Sequence, residues 1–171
     1  MKKIFLCLFM LSVSLFAQEK ETTYKYWLNF GVGGEHELSS SFALNYNFSI
    51  KEHFIQAGYH FSGAIMNIEG GLLQPSGGNI FHSVNVSYGE RLMSDYFLSS
   101  AFIGPSLVTG KTKKEADLKS KKYTTIGLAI ETQWIFRAAN ELGFGIEFYG
   151  NLNHYQNIAA VSFLIYLSNN K

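Results

Sequence analysis

Cysteine is nearly absent from this chain of 171 residues, whose single cysteine is Cys7. One thiol close to the N-terminus excludes a disulfide framework, and it excludes a thiolate metal site in the rest of the chain. Charged residues are also scarce, at 16% against about 25% in an average soluble domain. So little charge cannot easily solvate a whole protein surface, and the placement of the polar residues therefore decides the fold class.

Positive charge is not in surplus. The chain has 14 Lys and Arg against 13 Asp and Glu, and the formal net charge is +1. Lys2 and Lys3 lie in the leader described next, and without them 12 basic side chains face 13 acidic ones. Nucleic-acid binding depends on a clustered basic surplus that neutralises phosphates, so we expect no nucleic-acid partner.

A long apolar run is missing as well. The longest, Ile4 to Phe16, has 13 residues, whereas a helix needs about 20 to cross a bilayer. It follows Met1-Lys2-Lys3 and precedes Ala17-Gln18, an order typical of a cleavable signal peptide. We expect residues 1–17 to be removed on export, and we expect residues 18–171 to reach any membrane through strands.

The chain does contain a regular alternation of large apolar and small polar residues. It recurs in eight segments between Tyr24 and Leu167 and is clearest from Phe42 to Ile50. A period of two predicts strands with two different faces. Segments of about 8 to 13 residues match the 9 to 11 that a tilted membrane strand requires. The fifth segment, at about 96–107, is the exception because its apolar residues keep no single parity.

The links between the segments alternate between long and short. The predicted long links are Gly34 to Ser40, Gly63 to Asn79, Val108 to Lys122, and Gly150 to Gln156. The predicted short links are Lys51 to His53, Glu90 to Asp95, and Arg137 to Asn140. Short turns at one rim and longer loops at the other are typical of outer-membrane barrels.

The polar face decides between a membrane barrel and a soluble barrel. It consists mainly of Gly, Ser, Ala, Asn and Gln, with isolated charges at Lys25, Glu131 and Glu147. A soluble barrel needs an outer face rich in charged side chains, while small residues suit the narrow interior of eight strands. The composition favours an apolar outer face in lipid, and a soluble periplasmic lipocalin-like lipid binder is the alternative.

With its leader, eight segments, alternating links and terminal strand Val161 to Leu167, the sequence resembles the small outer-membrane barrels of the OmpX and OmpA transmembrane-domain type. The resemblance implies an all-β, porin-like fold, an eight-stranded antiparallel up-and-down transmembrane β-barrel with a plugged polar interior. It also implies a monomeric, non-enzymatic protein of the cell outer membrane, in contact with outer-membrane lipid and lipopolysaccharide and inserted by the barrel assembly machinery. It implies no cofactor.

Inward-facing polar residues should form a network, because a buried carboxylate is costly unless it is paired. We predict an interior polar network. Its main members are Lys25, His60, Glu131, Gln133, Glu147 and Tyr149, and Asn45 and Gln56 also take part. One interpretation is a structural plug, and the other is a paired-carboxylate acid/base site.

His154 resembles the histidine of the outer-membrane lipid A deacylases, which place a serine shortly after it. The nearest serine here is Ser162, inside the last strand. Because a triad needs a positioned nucleophile, we predict no catalytic residues, and a lipid A-modifying barrel enzyme is the alternative. Glu35, His36 and Glu37 are consecutive and cannot all face one ion from an extended chain, so we predict no metal site.

Lysines crowd the third long link. They are Lys111, Lys113, Lys114, Lys119, Lys121 and Lys122. One interpretation is an anion-contacting loop that binds lipopolysaccharide phosphates, and the other is a solvated loop without a partner.

Overall fold

Strands account for nearly all of the structure. The computed structural model describes residues 25–35, 39–50, 53–63, 67–69, 72–74, 79–112 and 121–169. The predicted signal peptide, residues 1–17, lies outside these ranges. The strands are β1 Tyr26–Glu35, β2 Ser39–Ile50, β3 His53–Gly63, β4 Asn67–Glu69, β5 Leu72–Gln74, β6 Ile80–Met93, β7 Phe97–Thr112, β8 Lys121–Arg137, β9 Leu142–Asn153 and β10 Ile158–Ser168. Within these ranges no helix is both long and apolar enough to span a membrane.

Eight of the strands close into one barrel in the order β1-β10-β9-β8-β7-β6-β3-β2. Every neighbouring pair is antiparallel, and the first strand closes the sheet on the last, with Phe30 opposite Ile165. Strands β4 and β5 form a separate two-stranded ribbon in the link between β3 and β6. The predicted all-β, eight-stranded antiparallel barrel is confirmed.

The apolar face of the strands points outward. Leu44 and Phe144 are each 39% exposed and Phe163 is 52% exposed, whereas the alternate residues Asn45 and Ser162 are buried. On β8 the outward apolar side chains run from Ile126 to Phe136, about 33 Å along a strand at about 3.3 Å per residue. A tilt of about 40° reduces this length to about 25 Å, the height of the apolar band in membrane barrels.

Strand β7 shows why the fifth segment has no single parity. Leu98, Phe102 and Val108 point into the barrel and are buried, while Ile103 and Leu107 point outward. Apolar side chains occupy both faces of this strand, so hydropathy alone cannot identify its orientation.

The lumen is not uniformly polar, and the prediction of small polar residues there was incomplete. Two apolar clusters lie inside the barrel, one at each end. The short-turn cluster contains Trp27, Leu98, Phe102, Ile135, Leu164 and Tyr166. The loop-side cluster contains Phe81, Val108, Tyr123, Ala129, Tyr149, Ile158 and Ala160. The buried polar side chains lie mainly between these clusters.

Most of the predicted long links are shorter than expected because the strands continue into them. Pairing between β1 and β2 extends to Glu35 opposite Ser39, which leaves residues 36–38 as the link. Between β7 and β8 the pairing extends to Thr112 opposite Lys121. Only the link between β3 and β6, which contains the ribbon, keeps its predicted length.

Candidate functional site

The candidate site is the polar layer in the middle of the lumen. Its side chains meet there because alternate residues of each strand point inward. His60 lies on β3, Glu131 on β8 and Glu147 on β9. All three face inward and are at most 5% exposed. Because β3 is separated from β8 by β6 and β7 along the sheet, contacts between these residues cross the lumen.

Glu131 lies at the centre of this layer. Its Oε1 accepts hydrogen bonds from the amide nitrogens of Asn45 at 2.8 Å and of Gln56 at 3.0 Å, and also from that of Gln133. Its Oε2 lies 3.1 Å from Nε2 of His60. This one carboxylate therefore joins four side chains from three strands.

Glu147 completes a ring of contacts with the same partners. Its Oε2 accepts from Nδ2 of Asn45 at 2.9 Å, and its Oε1 lies 3.6 Å from Nδ1 of His60. The imidazole thus lies between two carboxylates, one facing each ring nitrogen. Asn45 bridges the same two carboxylates from the opposite side.

Tyr149 and further amides surround this ring. The Tyr149 ring stacks on the imidazole of His60 with centroids 3.6 Å apart, and its hydroxyl donates to Oγ of Ser83 at 2.9 Å. On the short-turn side, Oε1 of Gln133 accepts from Asn29 at 2.8 Å and from Ser100 at 3.0 Å. These contacts fix the orientation of both the imidazole and the Gln133 amide.

A glycine provides the space for the amide side chains. A Cβ on Gly58 would lie 2.7 Å from Oδ1 of Asn45 and 2.5 Å from Oδ1 of Asn85. Both asparagines are directly opposite Gly58 on the neighbouring strands β2 and β6. A side chain at this position would displace both amides from their present places.

The structure brings together five of the six predicted network residues, namely His60, Glu131, Gln133, Glu147 and Tyr149. Lys25 is separate, and its predicted place in the network was wrong. Lys25 precedes β1 at the short-turn rim and is hydrogen-bonded through its backbone to Ser49. An ammonium at the rim avoids the cost of burial that a central position would impose.

Arg91 is the interior residue that sequence reasoning missed. It was expected in a short link, but it lies within β6, two residues before the end of the strand at Met93, with its guanidinium 4.1 Å from the ring centre of Trp27. It also donates to the Tyr166 hydroxyl at 2.7 Å. Trp27, which interrupts the polar parity of its segment, was the only signal in the sequence. The guanidinium has a stacking partner there because planar cations bind well over indole rings.

The residues considered for catalysis are on different parts of the barrel. His154 is exposed in the link between β9 and β10, where its ring contacts that of Tyr155. Glu147 is buried in the lumen, and Ser162 also faces the lumen, with Oγ 3.4 Å from Oγ of Ser41. These three side chains do not assemble at one solvent-accessible point.

Three of the predicted anion-contacting lysines belong to described strands. Lys111 is the next-to-last residue of β7 and lies opposite Lys122 of β8, and Lys121 pairs with Thr112, so the three lysines belong to the loop-side extension of this strand pair. All three are exposed. Lys113, Lys114 and Lys119 lie outside the described residues.

Comparisons with known proteins agree with the fold. No family model and no curated protein matches the chain. The N-terminal β-barrel domain of Pseudomonas aeruginosa OprF matches with a TM-score of 0.61 and 4% identity, over 88% of this chain and 99% of that one. Neisserial surface protein A matches with a TM-score of 0.55 and 12% identity over the same shares. Yersinia pestis outer membrane protein Ail, in a phospholipid nanodisc, matches with a TM-score of 0.57 and 11% identity, over 85% of this chain and 99% of that one. The predicted resemblance is therefore confirmed at the level of the fold, which is that of the small eight-stranded outer-membrane barrels.

Proposed function

We propose that the chain is an integral outer-membrane β-barrel protein without enzymatic activity. Its filled interior makes it a rigid envelope component, and its long links are available for surface interaction. The observation that supports this proposal is the outward apolar face, which is exposed on seven of the barrel strands and continues over β3 through the half-buried Ile55, Tyr59 and Phe61. In hydrocarbon every backbone polar group must be paired within the protein, and a closed sheet satisfies that condition.

The alternative of a soluble lipocalin-like lipid binder requires the opposite arrangement of faces. Such a carrier keeps its apolar side chains around an internal cavity and its charged side chains outside. Here the large side chains of Phe30, Phe148 and Phe163 point outward, while Asn29 and Glu147 point inward. Dissolving this barrel in water would expose an apolar surface far larger than monomeric soluble proteins tolerate.

The closed sheet also favours a monomer in the membrane. Because β1 pairs with β10 along nine residue pairs, from Trp27–Ser168 to Glu35–Ala160, neither strand offers a free edge to a second copy. The partners that remain are the surrounding outer-membrane lipid and, during insertion, the barrel assembly machinery.

Fractionation and gel migration test this proposal. The protein expressed with its leader should be found in the outer-membrane fraction, and it should migrate differently before and after boiling in detergent. Protein recovered freely in periplasmic extract, with the same migration before and after boiling, would exclude the membrane barrel.

A second part of the proposal concerns the lysines of the β7–β8 extension. Lys111 and Lys122 are directly opposite one another, and the strand alternation directs both outward, above Leu107 and Ile126. Like charges at such a position repel each other unless an anion lies between them. Their level, about 10 Å beyond the last apolar residues by strand rise and tilt, suits the phosphates of lipopolysaccharide.

Charge removal tests the lysine contact. The double variant Lys111→Gln/Lys122→Gln should lose the preference of the wild-type protein for lipopolysaccharide-containing vesicles over zwitterionic vesicles. Lys25→Gln, at the opposite rim, is the matched control and should keep that preference. Equal preference in the wild type and the double variant would contradict a role for this lysine pair.

A further inference from the structure

Three ligand-type side chains meet in the buried centre of the lumen. The donor atoms of His60, Glu131 and Glu147 all lie within 4.8 Å of one another. The prediction that the chain has no metal site rested on residues 35–37, whereas these three come from strands that are distant in sequence. Only the closure of the barrel brings them together.

The charges of this cluster do not balance. Two carboxylates are buried there, and among the described residues their only ion-pair partner is His60. Even a protonated imidazole would leave one negative charge without compensation. An uncompensated charge in a buried layer is strongly unfavourable, so the cluster needs either a bound cation or a proton on one of its carboxylates.

The hydrogen bonds show the same shortage of donors. Oε1 of Glu147 is fully buried and has no hydrogen-bond partner among the residues that the structure describes. The side-chain oxygens of Asn45 and Gln56, whose amide nitrogens already bind the carboxylates, are also buried with no hydrogen-bond partner in the described part of the chain. An excess of buried acceptor oxygens is the environment that a bound cation satisfies.

The amide hydrogen bonds leave one oxygen of each carboxylate directed only at His60. Three amide nitrogens bind Oε1 of Glu131, which leaves Oε2 facing His60. Asn45 likewise binds Oε2 of Glu147, which leaves Oε1 facing the imidazole. Outer hydrogen bonds of this kind orient the ligands of metal sites.

The separations of the donor atoms suit a small divalent ion. Nε2 of His60 lies 3.1 Å from Oε2 of Glu131, and Nδ1 on the other side of the ring lies 3.6 Å from Oε1 of Glu147. One ion binds one ring nitrogen, so the second carboxylate reaches it from within the 4.8 Å that spans one donor atom of each residue. Ligands bound to zinc at about 2.0–2.2 Å in tetrahedral geometry lie about 3.4 Å apart. One imidazole and two carboxylates, without a thiolate, form a donor set for zinc, manganese or ferrous iron.

We propose that His60, Glu131 and Glu147 bind one divalent transition-metal ion, with Zn²⁺ as the representative ion. The ion balances the two carboxylates and links β3, β8 and β9 across the lumen. Because apolar clusters close both ends of the polar layer, the ion enters before the barrel closes. The site is structural, and it is independent of the lysines at the loop-side rim.

Metal analysis of refolded protein tests this proposal. The full chain without its leader is refolded in detergent with Zn²⁺ and dialysed against a chelator. The zinc that remains bound is then measured by inductively coupled plasma mass spectrometry. We expect about one zinc per folded chain. His60→Gln and Glu147→Gln should each lower the retained zinc at least tenfold. His154→Gln and Glu90→Gln, which remove an exposed imidazole and an exposed carboxylate, should not change it.

A measurement on the unmodified protein covers the case in which the lumen variants do not fold. Refolding with Co²⁺ should give the visible absorption bands of a low-symmetry nitrogen and oxygen site, and the bands should persist in chelator. Retention of less than a tenth of a zinc per folded chain would overturn the proposal. Absence of the cobalt bands, or equal zinc in His60→Gln and wild type, would overturn it as well.

Discussion

At the level of single side chains, the side chain of Glu131 has four hydrogen-bonding partners in the interior. Its carboxylate is an acceptor for three amide donors and for His60. A group with only acceptor atoms suits this position, because the surrounding nitrogens all direct hydrogen atoms toward it. Replacing the carboxylate by an amide would direct two further hydrogen atoms at donors.

We therefore expect Glu131→Gln to destabilise the folded barrel by about 3–5 kcal/mol, the usual cost of breaking a buried charged network. The measurement is the urea midpoint of the migration shift in detergent. Glu90→Gln, on the exposed face of β6, changes the same atoms outside the lumen and should leave the midpoint within experimental error. An unchanged midpoint for Glu131→Gln would remove the idea that the network stabilises the barrel.

Single side chains also mark the limit of what the sequence predicts. The inward position of Glu131 and Glu147 follows from parity within their own segments, and parity can be read from local sequence. Their meeting with His60 depends on register between strands that are up to 87 residues apart, and no local pattern contains that register. Lys25 was predicted in the lumen but lies at the rim, and Arg91 was predicted in a link but lies against Trp27. The charge of a residue does not by itself distinguish these positions.

At the level of strands, the alternation predicted most of the architecture because each outer position faces lipid and each inner one faces a crowded lumen. The prediction worked best where these environments differ most, as in β2 and β10. It was weakest in β7, where apolar clusters close the lumen and both faces are apolar. Link lengths were overestimated because pairing above the membrane needs no apolar face.

The orientation of β10 leads to a prediction about depth. Phe163 points outward near the middle of the strand, and Leu167 points outward near its short-turn end. Phe163→Lys should destabilise the barrel in lipid vesicles by about 2–4 kcal/mol, and Leu167→Lys by about 0–1 kcal/mol, because the cost of a charge falls toward the interface. Reversible urea unfolding in vesicles measures both values. Equal costs at the two positions would mean that β10 does not cross the bilayer as described.

For the barrel as a whole, the order of polar and apolar layers along its axis determines whether ions can pass through it. A polar layer lies between two apolar clusters, and the polar side chains of that layer are almost fully buried. Eight strands enclose only enough room for side chains. Side chains therefore fill the described part of the lumen and leave no room for a wide aqueous channel.

This arrangement predicts that the protein does not conduct ions. Planar-bilayer recordings should show only the baseline after insertion, and a wide porin recorded under the same conditions provides the positive control. Insertion itself is verified by the migration shift of protein recovered from the membrane. Large and stable conductance steps would contradict the filled lumen.

Because apolar clusters lie at both ends of the lumen, the time that a molecule or ion stays in the central layer does not depend on its affinity for that layer alone. Water, protons or ions enclosed when the strands close can leave only when strand pairs open, and global opening of stable domains takes from seconds to days. Residence in the central layer is then governed by how often the barrel opens. Each molecule would keep the internal composition that it acquired on assembly, even after the medium around it has changed.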